Sequence, residues 1–372
     1  MISRLITDYD ALAGLAPAWR ALALRSGASF FSSPGWLLTW WRHFGRARRL
    51  RVIAVEDEAG PVGLLPLMAD RVGPVRRLQF LGTGGTDYLD ALVRPGCEQG
   101  FWQAVVETLA PMAWHLADLQ QVPAGSPTLQ HLPLIAGRMG CEVTACLQEP
   151  CPFLALPGDW DAFCQGLGKK MRWAVGYYPR LAARERKAEV VRVQGGRVPE
   201  TMDRLFALHT RRWRARWLPG AFAGPRTRRF HRELAAACDA SGDLRLYALS
   251  LDGRVQAVLY CFAFGGRVHY YQGGFDPACA RYSPGTILVA HAVREAIATG
   301  AQGFDFLRGG EAYKYRWGAV DRSNQRLLLV RPGWQGRLGR RLGLWQQEAE
   351  ESVKKIAGKL SAPRKGRAGR KS

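Results

Sequence analysis

The sequence lacks any run of apolar residues long enough to cross a membrane, which takes about 20 residues. The longest uncharged apolar run, Val255 to Gly266, has the length of a strand and contains Gln256. Near the N-terminus, Asp8 and Asp10 stand where a signal peptide would have its apolar core. We therefore expect a cytoplasmic protein, in which contact with the inner membrane would be peripheral.

Cysteine is present but is not arranged for a structural role. None of the eight cysteines forms a CxxC pair, and no histidine lies near them at zinc-finger spacing. The five-residue spacing of Cys141, Cys146 and Cys151 does not match zinc-ligand spacing either. The sequence thus predicts free thiols and no metal site.

Several catalytic signatures are also missing. The chain has no G-x-S-x-G nucleophile elbow, no Walker loop, no H-E-x-x-H and no complete G-x-G-x-x-G. The segment GTGGTD at 82–87 supplies only part of a dinucleotide fingerprint, and no helical pattern follows it directly. Hydrolase, NTPase and dehydrogenase functions are therefore not expected.

What the chain does have is a large excess of positive charge, +22, most of it in two segments. Residues 164–230 hold 17 Lys or Arg against 4 Asp or Glu, and residues 337–372 hold 11 against 3. Such fields attract polyanions, including CoA phosphates, acidic glycans, RNA and anionic lipid surfaces. A solvated arginine-rich surface without a dedicated partner is the alternative interpretation.

The order of the predicted elements repeats along the chain. Leu244–Leu251 and Val255–Ala263 form a hairpin across Asp252-Gly253, which is a strong turn signal. Each half gives a hairpin, a strand, a loop, a helix and a strand, and a tandem duplication explains the repeat. The predicted elements are a hairpin over 50–69, strands over 78–81, 88–93 and 116–122 and a helix over 98–109 in the first half, and strands over 268–272 and 303–307 and a helix over 284–299 in the second.

The chain length of 372 residues suits two domains rather than one. We predict an α/β (α+β) fold of tandem domains over residues 1–155 and 156–334, each a mixed central sheet flanked by helices. A basic tail over 335–372 is expected to be partly helical and then disordered. The other predicted helices are two in the first 45 residues, the second starting at Ser33-Pro34 and ending at Gly45, a basic helix over 159–188 and a helix over 199–217.

Residues 280–300, ARYSPGTILVAHAVREAIATG, combine a helix start with a nearby cation. Ser283 is a candidate N-cap, Pro284 suits the first helical position, and Gly285 permits a close approach to the backbone. Free amides at such a terminus, with Arg281 beside them, form an anion site suited to a pyrophosphate. An ordinary capped helix is the alternative.

A second cluster, FDFLRGGEAYKYRWG at 304–318, follows a short apolar strand. Polar groups just past the carboxyl end of a strand are where α/β folds place ligands. Asp305, between two phenylalanines, is either an acid/base group or a buried partner of an arginine, and a charged loop without function is the alternative for the whole segment. The ionic and aromatic residues that follow the strand are Glu311, Tyr313, Lys314, Tyr315, Arg316 and Trp317.

These two motifs, one strand apart, resemble the BioF2-like/CelD-type acetyltransferase family of the GNAT superfamily. The segments FSSPGWLLTW at 31–40 and GTDYLD at 85–90 resemble the same family, and the likeness spans roughly residues 28–332. The resemblance implies tandem GNAT folds, related to the Fem-type aminoacyl-tRNA transferases. It also implies an acyl-CoA such as acetyl-CoA as a co-substrate, with no permanently bound cofactor.

In GNAT folds the donor pyrophosphate lies on backbone amides at a helix N-terminus. Carried over to this chain, the amides belong to a segment that we call the donor loop, of which Arg281 and Gly285 match the superfamily pattern Q/R-x-x-G-x-G/A. The equivalent loop of the first half, RPGCEQG at 94–100, lacks the Ser-Pro cap, so that half is interpreted as shaping the substrate site. The donor loop consists of Arg281, Tyr282, Ser283, Pro284, Gly285 and Thr286.

The resemblance further implies direct attack of an amine on the thioester, with a general base and an acid to move protons. We assign the base role to Glu311 or Asp305 and the acid role to Tyr313. Lys314 and Arg316 would hold an anionic acceptor or the donor phosphate.

Other residues are candidates for contact with the acceptor. A structural turn is the alternative for the loop that contains Asp87, Tyr88 and Asp90. A packing or surface helix is the alternative for Arg212 and Trp213. The candidates are Asp87, Tyr88, Asp90, Arg212, Trp213, Arg316 and Trp317.

The predicted function is acyl transfer from acyl-CoA to an amine or hydroxyl of a small or carbohydrate-linked acceptor, which the resemblance connects with cell-envelope or exopolysaccharide metabolism. One alternative is a Fem-like transferase that uses aminoacyl-tRNA, with the basic helix as an RNA-binding face. Another is a non-catalytic protein that binds an anionic glycan, or an anionic membrane through Leu338, Leu342 and Trp345 of the basic tail.

Overall fold

The computed structural model describes residues 1–214 and 220–361. The strands are β1 (Ile2–Ile6), β2 (Arg49–Leu50), β3 (Val52–Asp57), β4 (Gly60–Leu65), β5 (Leu67–Val72), β6 (Val75–Phe80), β7 (Leu92–Val93), β8 (Leu116–Pro123), β9 (Glu142–Ala155), β10 (Glu189–Val193), β11 (Leu244–Leu251), β12 (Arg254–Phe264), β13 (Arg267–Phe275), β14 (Gly303–Asp305) and β15 (Val320–Val330). The helices are α1 (Tyr9–Gly14), α2 (Ala16–Arg25), α3 (Pro34–Phe44), α4 (Glu98–Leu109), α5 (Thr128–Arg138), α6 (Trp160–Gly166), α7 (Lys169–Arg186), α8 (Val198–Arg214), α9 (Pro225–Ala240), α10 (Pro284–Ala298), α11 (Ala312–Tyr315) and α12 (Trp334–Ser361).

The strands form two sheets. The smaller has the order β1-β3-β4-β7, and the larger has eleven strands in the order β10-β11-β12-β13-β14-β9-β15-β8-β6-β5-β2. Neighbouring strands are antiparallel except for the pairs β13–β14 and β6–β8, which are parallel. Helices flank both sheets, so the predicted mixed α/β class is confirmed.

Alternation along β12 divides the core into two apolar clusters. Tyr260 and Phe262 pack with side chains of α8 and α9, whereas Leu259 and Cys261 pack with α10. Successive side chains of a strand point to opposite faces, so the sheet is covered by helices on both sides here. This double cover explains why the strand is apolar along nearly its whole length.

Two long strands join the halves of the chain. β15, from the second half, lies between β8 and β9 of the first half, and β9 also pairs with β14. The predicted domain boundary at 155/156 falls at the end of β9, and the large sheet continues across it. The division into two domains therefore stays a prediction.

The strands β13 and β14 diverge after three paired residues. Their pairing runs from Arg267–Gly303 to His269–Asp305. Beyond it, the amides of Phe306 and Gly309 donate to carbonyls of β9, whereas β13 continues beside β12 as far as Phe275. Within the described chain, residues 270–275 of β13 therefore have a strand on one side and an opening on the other.

Local signals predicted several elements correctly. Asp252 and Gly253 both have positive φ, 49° and 76°, as the hairpin turn between β11 and β12 requires. Ser33 caps α3 by accepting from the amide of Trp36, and the helix ends at Gly45 as predicted. Pro284 begins α10, and the helices predicted over 98–109 and 199–217 correspond to α4 and α8. Residues 215–217 of the second prediction lie outside the described residues.

Other predictions were wrong. The first residues form β1 rather than starting with a helix, and the second strand of the hairpin predicted over 50–69 is divided at Pro66 between the two sheets. The predicted helix over 159–188 is broken at Leu167, whose extended backbone separates α6 from α7. No sequence pattern predicted β9 or β15.

The tail contains a helix, as predicted, and this helix, α12, begins at Trp334 and runs to Ser361. Leu338 and Leu342 pack against a small apolar cluster that includes Leu116 and Leu328. They therefore belong to the fold and are not exposed for membrane attachment, while Trp345 is exposed. The disorder predicted at the end of the tail concerns residues 362–372, which lie outside the described residues.

A buried ion pair holds β15 in the sheet of the first half. Arg326 on β15 donates to both carboxylate oxygens of Asp118 on β8, at 2.7 and 2.9 Å, and both side chains are almost fully buried. Arg326 also donates to the carbonyl of Gly343 in α12 at 3.0 Å. Arg77 on β6 lies 4.0 Å from Asp118 and forms an ion pair with Asp70 on β5. One buried network thus connects β5, β6, β8, β15 and α12.

We expect Arg326→Met to lower the free energy of unfolding by about 3 kcal/mol, because it leaves the carboxylate of Asp118 buried without its main partner. The double variant Asp118→Leu/Arg326→Met removes both charges and should recover at least half of that loss. Urea denaturation at pH 7 measures both. A loss below about 1 kcal/mol in Arg326→Met would contradict the importance given to this pair.

Candidate functional site

A cavity of about 1570 Å³ lies where the two halves meet. One wall is formed by the divergent part of β13 and by the start of α10, and another by α3 and the first turns of α9. The loop at 83–87 and the segment from Phe306 to Trp317 complete the lining. The cavity therefore brings the donor loop, the second sequence cluster and the GTDYLD loop together.

The start of α10 faces this cavity without a side-chain cap. Ser283 has a left-handed backbone, with φ of 48°, and its hydroxyl lies 2.8 Å from that of Thr286 instead of accepting from a helix amide. The predicted capping by the Ser283 side chain is therefore wrong. A side chain built on Gly285 would meet no described atom within 4 Å, so the backbone here is open to a ligand. Such an uncapped terminus is suited to an anion.

Two residues of the donor loop are directed elsewhere. Arg281 forms a 2.6 Å ion pair with Glu185 of α7, and the hydroxyl of Tyr282 donates to the same carboxylate at 3.3 Å. Neither lines the cavity, whereas Ser283, Gly285 and Thr286 do. The contact of Arg281 and Tyr282 with the donor stays a prediction, and it would require both side chains to leave Glu185.

The two halves are joined at the cavity by a buried carboxylate. Asp305, the last residue of β14, accepts from the hydroxyl of Tyr88 at 3.0 Å and from the amide of Leu307 at 2.8 Å. Tyr88 and Leu307 both have left-handed backbones, with φ of 50° and 57°, which is rare for such residues. The turn at Leu307 ends the strand predicted over 303–307 early, at Asp305, and the strand predicted over 88–93 begins only at Leu92, after the turn at Tyr88. Such strain concentrates at functional sites.

A second contact between the halves lies beside the first. Arg308 forms a 2.8 Å ion pair with Asp87, and both residues line the cavity. Burial raises the pKa of Asp87, and the positive charge of Arg308 acts in the opposite direction. Burial also raises the pKa of Tyr271, which lines the cavity from β13, and the carboxylate of Asp87 adds to that increase. Asp87 is therefore a buried acid with direct access to the cavity.

Asp305 is buried as deeply but does not line the cavity. Burial raises its pKa to about 6, although the bonds from Leu307 and Tyr88 favour the charged form. Its position indicates that it fixes the conformation of the residues around it. The catalytic role of Asp305 stays a prediction, and its contacts support a positioning role.

Lys314 is a buried lysine whose ammonium holds the loop after β14. It donates to the carbonyls of Leu307, Arg308 and Gly309 at 2.9 to 3.1 Å and pairs with Glu311 at 2.8 Å. An ammonium group has three donors, so these contacts use its capacity. Lys314 therefore shapes the loop in this structure, and contact with a substrate phosphate would require it to exchange partners.

The remaining candidates differ in whether they line the cavity. Glu311, Tyr313, Arg316, Trp317 and Trp213 line the cavity, and the first three are exposed within it. Asp90 does not line it: this residue accepts from its neighbour's amide and from the hydroxyl of Thr128 at 2.5 Å, at the start of α5. The side chain of Arg212 lies outside the described part of the chain.

Sequence reasoning missed three residues of the site. Arg308 lies inside the FLRGG motif, but its partner Asp87 is distant in sequence. His231 of α9 lines the cavity with its Nε2 atom 3.3 Å from the Tyr271 hydroxyl, and burial lowers its pKa to about 3. Tyr271 is the extra residue of a β-bulge, since Tyr260 pairs with Gln272 and Cys261 with Tyr270. No local pattern marks any of these.

Across residues 1–214 and 220–361, no group of three or more His, Cys, Asp or Glu side chains is placed to hold a metal ion. The same part of the chain has no helix of the length and apolarity needed to span a bilayer. All eight cysteines are free thiols, as predicted.

The raised pKa of Asp305 predicts a pH dependence of stability. A carboxyl group whose pKa is higher in the folded than in the unfolded chain binds more protons when folded, so its contribution to stability falls as the pH rises from about 4 to 6. The free energy of unfolding should therefore drop by roughly 3 kcal/mol more in the natural protein than in Asp305→Asn between pH 4 and 7. Denaturant unfolding at both pH values tests this, and parallel curves would contradict the assigned pKa.

Comparison with known families places a known domain on part of this site. Residues 177–315 match the family model described as the acetyltransferase (GNAT) domain. The matched region runs from α7 to α11 and includes the donor loop, β13 and Asp305, but not α3 or the loop at 83–87. No curated protein sequence matches the chain.

Solved structures resemble the fold over both halves. FemX has a TM-score of 0.67 and 12% identity, over 88% of this chain and 97% of FemX. The C-terminal domain of a putative lysylphosphatidylglycerol synthetase from Agrobacterium fabrum has a TM-score of 0.54 and 14% identity, over 92% and 96%. L-PGS from Bacillus licheniformis has a TM-score of 0.52 and 12% identity, over 85% and 91%. Residues 177–315 are therefore similar to the GNAT acetyltransferase domain, and the fold that contains them is similar to that of FemX.

Proposed function

We propose that the protein transfers an acyl group from acyl-CoA to an amine or hydroxyl of a second substrate. The observation that carries this proposal is the cavity itself, which connects the open edge of β13 and the uncapped start of α10 to a buried carboxylate. The BioF2-like/CelD-type resemblance supports a small or carbohydrate-linked acceptor from cell-envelope or exopolysaccharide metabolism.

The donor would be held at two places. The start of α10 would bind the pyrophosphate through the amide of Gly285 and the helix dipole, which favour an anion there. The amides of Thr286 and Ile287 already donate to the carbonyl of Ser283, at 2.9 and 3.2 Å. The extended arm of the donor would lie along residues 270–275. The backbone N–H and C=O groups at the open edge of these residues can pair with a linear ligand, as they would pair with an added strand. Acyl-CoA acts in this proposal as a co-substrate and not as a resident cofactor.

The acceptor would attack the thioester directly, which requires a base but no enzyme nucleophile. Of the described carboxylates, Asp87 and Glu311 line the cavity. We assign the base to Asp87, because its burial raises its pKa towards the range in which a base works best and because it lies near Tyr271 of β13. Glu311, exposed and paired with Lys314, is the second candidate. Tyr313 remains the proposed acid, since it lines the cavity and is exposed.

One observation favours the Fem-like alternative. The outer face of α7 carries a stripe of exposed cations around a stacked pair of aromatic rings, Trp173 and Tyr177, whose centroids are 4.2 Å apart. Basic residues interleaved with exposed aromatic rings suit single-stranded nucleic acid. An aminoacyl-tRNA donor would then replace acyl-CoA in the same cavity.

A ligand-induced stability shift tests the donor. CoA or acetyl-CoA at about 100 times its dissociation constant should add roughly 2.7 kcal/mol to the free energy of unfolding. Gly285→Trp should abolish this shift by filling the open space at the start of α10, and Gly285→Ala, which adds only one methyl group there, should keep it. The absence of a shift with any CoA species, together with a shift from aminoacyl-tRNA, would replace the proposal by the Fem-like alternative.

A kinetic comparison tests the base. We expect Asp87→Asn to reduce kcat by at least about 100-fold, within the range typical of general-base loss. Glu311→Gln should reduce it less than tenfold, because its exposed carboxylate mainly pairs with Lys314. Steady-state rates across pH 5–9 with a fixed amine acceptor measure both. A large loss in Glu311→Gln and a small one in Asp87→Asn would reverse the assignment.

A further inference from the structure

The described lining of the cavity contains more positive than negative charge. Arg308 is paired with Asp87 and Lys314 with Glu311, and these two acids are the carboxylates that line the described cavity. The structure gives the other cations of the described lining no acidic partner. These are Arg48, Arg226 and Arg316.

Arg48 and Arg226 share the wall formed by α3 and α9. The guanidinium of Arg48 lies over the ring of Trp40 at 5.5 Å, and that of Arg226 lies over the ring of Phe44 at 5.7 Å. The two rings contact each other with centroids 5.6 Å apart, and Arg48 donates to the carbonyl of Phe44 at 2.6 Å. The two guanidiniums are therefore placed by one aromatic pair, with their charge facing no carboxylate.

Nearby acids are already engaged. Glu233 of α9 is paired with Arg42 and with His43 of α3. Two uncompensated guanidiniums on one wall repel each other and favour a ligand that brings negative charge. A guanidinium binds carboxylate or phosphate with two parallel hydrogen bonds.

The same wall also offers apolar surface. Trp40, Phe44 and Phe230 line the cavity there, and the neutral His231 lies next to Phe230 in α9. A ligand on this wall would thus present an anionic group beside an apolar or planar part. The proposed donor site lies on a different wall, at α10 and β13, so this ligand would be the acceptor.

We propose that Arg48 and Arg226 form an anion-binding subsite for the acceptor, which therefore carries a phosphate or carboxylate group. The proposal rests on the proposed transferase function only in naming the ligand as the acceptor. The anion site itself is independent of the donor. The acceptor's amine or hydroxyl would then lie further along the cavity, towards Asp87.

Calorimetric titration with small anions tests the subsite without knowledge of the acceptor. Inorganic pyrophosphate and tricarballylate, at constant ionic strength, represent the phosphate and carboxylate forms of the ligand. The titrations use the full chain carrying Gly285→Trp, so that the start of α10 cannot contribute a second anion site. Variants in that background are Arg48→Gln, Arg226→Gln, the double variant, and Arg229→Gln as the control, since Arg229 is an exposed cation of the same helix that does not line the cavity.

We expect at least one of the two anions to bind. The anion that binds more tightly indicates whether the acceptor carries a phosphate or a carboxylate group. Each single variant should weaken that binding at least fivefold and the double variant at least fiftyfold, as the loss of charge-assisted hydrogen bonds predicts. Arg229→Gln should change it less than twofold. Binding that is unchanged in the double variant, or no binding of either anion before Arg48 and Arg226 are altered, would overturn the subsite.

The outcome is separable from that of the donor experiment. Anion binding that depends on Arg48 and Arg226, in a protein that shows no shift with CoA, would retain the subsite and remove the proposed donor. A shift with CoA but no anion binding would retain the donor and remove the subsite. Unchanged thermal unfolding of the double variant without ligand confirms that any loss of binding is local.

Discussion

The carboxylate of Asp305 is the point on which the geometry of the site depends. It stands at the last residue of β14, where it accepts one bond from the turn that follows and another from Tyr88 of the other half. These two bonds hold two left-handed residues, Tyr88 and Leu307, in conformations that cost free energy. The turn they stabilise directs the following segment towards β9 and away from β13. The opening between the strands, and with it the cavity, follows from that change of direction.

Charge is distributed around the cavity in two ways. Where the halves meet, each charged group has a defined partner: Arg308 holds Asp87, and Lys314 holds three carbonyls and Glu311. Buried charges of this kind are kept because leaving one unpaired would be costly. At the wall of α3 and α9 the cations face the cavity without such partners. The contrast separates groups that maintain the structure from groups that are available to a ligand.

Local chemistry predicted what depends on neighbours in the sequence. The turn at Asp252-Gly253, the cap at Ser33 and the start of α10 at Pro284 needed only the residues beside them. The position of the donor loop at the start of α10 was predicted, but the ion pair of Arg281 was not. Its partner, Glu185, lies nearly a hundred residues away in the sequence. Lys314 similarly resembled a free cation until the fold enclosed it among carbonyls.

The strands that join the halves could not be predicted for a related reason. β9 contains Pro150 and Pro152, and proline normally argues against a central strand. Their carbonyls nevertheless accept from Gly309 and Phe306, so the side facing β14 needs no amide from either proline. The pairing with β15 joins residues far apart in sequence, and no local pattern reports such a partner. Asp87 and Arg308 are also far apart in the sequence, so no local pattern predicts their contact or points to Asp87 as the proposed base.

The place of β15 in the sheet has a consequence for the order in which the protein forms. During synthesis, β8 and β9 are complete long before residue 320 exists, yet they are not neighbours in the final sheet. The gap between them must stay open until the last strand arrives, which makes the contact order of the sheet high and its closure slow. Nascent chains therefore expose two unpaired strand edges for the time needed to add more than 160 residues. Until β15 arrives, the unfinished first half carries open strand edges with which another chain can pair.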